Sequence, residues 1–203
     1  MVNDEILKFK PALIKQYISS WALGVILIAA IWGTVYLFYP FEIIRNNYSK
    51  ANLTTIIPFS LGNTIEELLF RGFLLLASIR LFGKAGGILF VSLLFGIFHL
   101  QGTGFTIAGL SMVLTTFTMS LLLIAVIFYT KSIWTAVILH ITGNILLHTM
   151  GFDGTNNGLF QIRFSLAGVN EYFITFMYEI VVIAFATVIF YFSDGLSVSP
   201  NKI

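Results

Sequence analysis

Charged residues are absent from long stretches of this chain, and those stretches set its architecture. Nothing between Lys15 and Glu42 is charged, a run that accommodates a helix of about 20 residues, one hydrocarbon thickness. A hydrophilic loop over 42–52 follows. The next apolar segment, 59–82, differs from the first because Glu66, Glu67 and Arg71 interrupt it. Residues 85–130 again carry no charge. That is too long for one span, and Gln101-Gly102-Thr103-Gly104 marks a break between two. A fifth segment, 133–151, holds His140, Asn144 and His148. A Gly/Asn-rich loop opens over 151–158, and a sixth segment covers 172–192. Each span must be helical, since unpaired backbone is not tolerated against lipid. The pattern predicts an all-α polytopic transmembrane bundle of about six spans. It is a single domain over 1–203, with polar residues inside the membrane.

Composition agrees with the pattern. With 58% hydrophobic residues, 10% charged and a mean hydropathy of +0.94, the chain has too little polar surface to cover a water-soluble globule. A net charge of +2, scattered along the chain, excludes a nucleic-acid surface. The absence of cysteine removes disulfides and thiol chemistry. Six spans place both termini on one side of a cell membrane. Lys8, Lys10, Lys15, Arg80, Lys84, Lys131 and Lys202 collect there, against Arg45, Lys50 and Arg163 opposite. The positive-inside rule puts the termini in the cytoplasm.

Three polar groups sit where lipid penalises them. In Glu66-Glu67-Leu68-Leu69-Phe70-Arg71, Glu67 and Arg71 are i and i+4 with the acid first, the favourable order for a helical ion pair. That pair neutralises itself and leaves Glu66, about 100° round the helix, without a partner in its own segment. Phe95-Gly96-Ile97-Phe98-His99 closes the third span. His140-Ile141-Thr142-Gly143-Asn144, with His148 a further turn on, lines one face of the fifth. A structural polar cluster joining helices explains each group taken singly. Together they agree in depth: Glu66 and Asn144 each lie about 10 Å from the same end of the bundle at 1.5 Å per residue, with His99 near that end. Intramembrane ionisable residues that converge in this way read as one functional site.

A carboxylate, two histidines and an amide serve either of two hydrolytic schemes. In one, Glu66 and His99 deprotonate a water that attacks a carbonyl, and His140 and Asn144 stabilise the oxyanion. In the other, His99, His140 and Glu66 bind a divalent metal, zinc by the chemistry of the donors, and leave a position open for the water. Neither G-x-S-x-G nor H-E-x-x-H occurs. The competing classes are a non-catalytic immunity or scaffold protein that keeps the fold, and a small transporter.

At these residues the chain resembles the CAAX protease and bacteriocin-processing family (CPBP, also called Abi) of intramembrane proteases. That family is known by E-E-x-x-x-R, F-x-x-x-H and H-x-x-x-N on successive membrane helices. Here they read Glu66-Glu67 to Arg71, Phe95 to His99 and His140 to Asn144, complete and in order within about 55–150. The resemblance implies an endopeptidase acting on a peptide or membrane-anchored protein. It makes Glu66 the water-activating carboxylate helped by His99, Glu67 and Arg71 the supporting pair, and His140 and Asn144 the ligands of the substrate carbonyl or oxyanion. Both metal-dependent and metal-free schemes are argued for the family. His148 has no counterpart in its pattern. The chain is short beside the eukaryotic prenyl-protein proteases, and bacterial relatives are linked to peptide maturation and bacteriocin immunity.

Overall fold

A computed structural model describes residues 4–46, 53–102, 104–152, 158–165 and 168–193. Six helices account for most of them. Helix α1 (Ile14–Phe38) continues from a 3-10 turn that begins at Pro11, where proline has no hydrogen bond to lose. Helix α2 (residues 53–82) starts in α geometry over Leu53–Glu67, passes through a π-helical stretch at Leu68–Leu74 and becomes α again at Leu75. The run ends at Gly83, whose φ of 72° and ψ of 175° fall in a region essentially reserved for glycine. There the chain folds back, and α3 (residues 84–98) returns antiparallel to α2. The arms touch at Gly87, where a Cβ would lie 2.5 Å from the Ile79 backbone nitrogen. Helix α4 (Ile107–Thr130) is capped by Thr106, whose hydroxyl accepts the Gly109 N–H at 3.0 Å. It ends on Lys131 in the left-handed conformation. Helices α5 (Ile133–Thr149) and α6 (Glu171–Phe192) complete the set.

The spans foreseen from charge-free runs are therefore present as an all-α polytopic bundle. Four stretches are long and apolar enough to cross a membrane: Pro11–Phe38, Ile56–Phe98, Ile107–Thr130 and Tyr172–Phe192. The second contains both arms of the α2–α3 hairpin. At 17 residues, α5 is only about 25 Å long, less than the ~30 Å hydrocarbon core. Helix α4 sits centrally against α3, α5 and α6, while α1 packs on α5 and α6, and α2 on α5. Leu27, Ile31 and Val35 of α1 meet Leu123 and Ile127 of α4, Leu139 of α5 and Val182 of α6 in the main core. A second cluster joins Phe70, Leu75, Val91 and Phe95 of the hairpin to Ile124 and Phe128 of α4. Large apolar side chains such as Leu37, Phe73, Leu81 and Tyr191 point outward, as expected of a surface solvated by lipid tails.

One expectation needs correction. The stretches following α1 and α5, read as loops, contain strands β1 (Phe41–Arg45) and β2 (Phe160–Phe164). These pair antiparallel with Phe41 opposite Phe164 and Glu42 opposite Arg163. Five residues give too little alternation to identify a strand from sequence, and the pairing exists only because the fold brings two distant loops to one end of the bundle. Aromatic contacts tie the ribbon to α1: Trp32 stacks on Phe152 at 4.1 Å, and Phe41 meets both Trp32 and Phe164 edge-on. Residues 153–157, the Gly/Asn-rich part of that connection, lie outside the described residues.

Candidate active site

The three polar groups meet around a single ring. Phe95 is 1% exposed because the Gly83 reversal lays α3 against α2. The Arg71 guanidinium sits over its face, 3.9 Å from the centroid. His99, one turn further along α3, lies edge-on at 4.6 Å, and His140 of α5 at 6.3 Å. Phe70 closes another side at 4.9 Å. The aromatic residue of the F-x-x-x-H pattern thus adjoins a side chain from each of the other two motifs, and a cation stacked on a desolvated ring is stabilised by its quadrupole.

Glu67 is the electrostatic centre. Its Oε1 lies 3.2 Å from Nη1 of Arg71, the i,i+4 ion pair predicted from spacing, with both side chains fully buried. The same oxygen accepts a hydrogen bond from Nδ1 of His140 at 2.8 Å. A carboxylate can only accept, so Nδ1 carries the proton and Nε2 is left for other work. His99 repeats the arrangement: its Nδ1 donates to the Phe95 carbonyl at 2.8 Å, and again Nε2 is left for other work. Imidazoles fixed through Nδ1 in this way are oriented for chemistry at Nε2.

Helices α2 and α5 run antiparallel and meet in rungs one helical turn apart. Glu67 pairs with His140. One turn earlier on α2, Asn63 faces Asn144, whose Nδ2 donates to the Asn63 Oδ1 at 3.2 Å. A turn before that, the Phe59 ring lies 6.1 Å from His148. His148 therefore continues the same stripe, as its i+8 spacing from His140 requires. Glu66, half-buried, makes no hydrogen bond or ion pair among the described residues, yet its charge acts on Arg71 through space alongside that of Glu67.

The structure thus groups Glu67, Arg71, His99 and His140 around Phe95 and places Glu66 and Asn144 at the margin of that group. Among the described residues no three His, Asp or Glu side chains form a metal-ligand set. Sequence reasoning missed two groups. Asn63 is fully in the site, and its signal was its position four residues before Glu67 on one helix face. Glu179, buried in α6, accepts a hydrogen bond from the Thr118 hydroxyl of α4 and belongs to a separate interface.

No curated protein and no solved structure matches the chain. A family model does: the type II CAAX prenyl endopeptidase Rce1-like family matches residues 48–146. The matched stretch begins before α2 and ends within α5, so it contains every residue grouped around Phe95. Residues 48–146 are an Rce1-like domain of the CAAX protease family, the family of CAAX-type intramembrane endopeptidases.

Proposed function

We propose that this protein is an intramembrane endopeptidase in which Glu66 activates a water and α5 holds the substrate carbonyl. The observation that carries this reading is the division of labour between the two acids. Glu67 is committed to Arg71 and His140, while the adjacent Glu66 is half-buried and makes no hydrogen bond among the described residues, as suits a general base before its water arrives. Glu66 takes a proton from the water as its oxygen attacks the peptide carbonyl. His99, with Nε2 as an acceptor, orients that water. Asn144 donates to the developing oxyanion from Nδ2. His140 joins it by donating from Nε2 when that nitrogen is protonated, and the Glu67 carboxylate at 2.8 Å then balances the imidazolium. The proton held by Glu66 passes to the leaving amine.

The substrate is a peptide or protein with an apolar anchor. A groove of about 580 Å³ lined by Phe70, Leu74, Leu94, Phe98 and Phe105 opens on the outer side of the α2–α3 hairpin. Phe70 separates it from Phe95, so an anchor lying there would sit one ring from the polar site. The test is cleavage by purified protein of two quenched-fluorescence peptides that differ only in farnesylation of one cysteine. Product masses would locate the cut. Faster cleavage of the farnesylated peptide is expected, and equal rates would remove the anchor from the proposal.

A further inference from the structure

Asn63, the α2 half of the rung beside Glu67–His140, has no role in the scheme above, and its hydrogen bonding is lopsided. Asn63 is 6% exposed and accepts from Asn144, but its own Nδ2 is buried with no hydrogen-bond partner among the described residues. An unsatisfied buried donor costs stability, whereas an apolar side chain of the same shape would not. Simple adhesion between helices is therefore a poor account of an amide here.

Its geometry relative to Asn144 supplies a better one. The terminal torsion of asparagine is soft and roughly two-fold, so an Asn144 amide with no fixed partner presents either its oxygen or its NH2 to a substrate. The Asn63 oxygen takes one N–H at 3.2 Å, which fixes the nitrogen side and leaves the second N–H of that NH2 to donate. The next rung does the same for histidine, where Glu67 fixes His140 through Nδ1 at 2.8 Å. Residues four apart on α2 thus orient residues four apart on α5. We propose that Asn63 is a positioning residue: it holds the Asn144 amide with one N–H aimed at the substrate carbonyl, as Glu67 holds His140. The inference rests on Asn144 binding that carbonyl, and so on the endopeptidase reading.

Asn63→Leu removes the acceptor at nearly constant volume, and Asn63→Gln retains an amide oxygen. Both are compared with Asn144→Leu and with the Asn63→Leu/Asn144→Leu double variant, using the farnesylated quenched peptide in detergent, with thermal unfolding in parallel. Positioning predicts that Asn63→Leu lowers kcat about 10- to 100-fold, with KM within about twofold. It also predicts partial rescue in Asn63→Gln and a thermal midpoint equal to or above that of the unsubstituted protein. Added to Asn144→Leu, the same change should do nothing further, since Asn63 acts only through Asn144. Unchanged kcat in Asn63→Leu overturns the inference alone, as does a lowered thermal midpoint, which would mark the rung as adhesion. Additive losses in the double variant overturn it too. An unsubstituted protein that cleaves no peptide overturns the endopeptidase reading and this inference with it.

Discussion

Under the proposed mechanism Glu67 and Glu66 are neighbours with opposite duties, and substitution should separate them. Glu67→Ala leaves Arg71 buried without its counter-charge and releases His140. Breaking a buried pair from one side costs about 3–5 kcal/mol, which thermal denaturation in detergent would show as a large drop in midpoint. Glu66→Ala removes a half-buried group that bonds to nothing among the described residues, and should leave stability unchanged or slightly raised. Equal losses in the two variants would refute the division. The spacing of Glu67 and Arg71 made their pairing legible in the sequence, because an i,i+4 contact is local. The Glu67–His140 bond was not legible: it spans 73 residues and depends on the register between two helices. Asn63 went unnoticed for the same reason, since an asparagine without its partner helix reads as an ordinary polar residue.

Among the elements, the α2–α3 hairpin determines whether Phe95 can serve as the centre of the site. Two glycines control it. Gly83 occupies a backbone region that an L side chain enters at a cost of about 1–3 kcal/mol. A Cβ at Gly87 would clash with the Ile79 backbone, and separating the arms costs about 1–3 kcal/mol as overpacking does. Gly83→Ala and Gly87→Ala should each lower the thermal midpoint and reduce peptide cleavage. Gly33→Ala, where no atom lies within 4 Å of the new methyl, should do neither; a comparable loss there would mean that helix-glycine substitution in general is responsible. The helices themselves were readable from charge-free runs, because lipid penalises charge and leaves few other signals. The π-helical stretch that carries Arg71 was not, since one wider turn barely alters hydrophobic periodicity. Nor was the β ribbon, which owes its existence to tertiary proximity.

For the whole molecule, the placement of charge offers an orientation to test. Lys84 approaches Phe128 near the end of α4 at 4.9 Å, and Leu7 accepts from the Trp134 indole near the start of α5 at 3.0 Å, so the basic N-terminal segment shares an end with the α2–α3 and α4–α5 turns. By the positive-inside rule we propose that this end faces the cytoplasm and the β ribbon the other side. In this cysteine-free chain, single cysteines at the exposed positions Lys131 and Ser165 report the outcome. An impermeant thiol reagent on intact cells should label the Ser165 position and spare Lys131, whereas the reverse pattern would invert the protein without altering its site. Catalysis by Glu66 is the central claim, and its most direct test is the rate of peptide cleavage by Glu66→Gln, a nearly isosteric change that removes only the base. The account predicts a loss of at least about 100-fold in a variant that unfolds at the same temperature as the unsubstituted protein. Cleavage at an undiminished rate by a folded Glu66→Gln protein would contradict it.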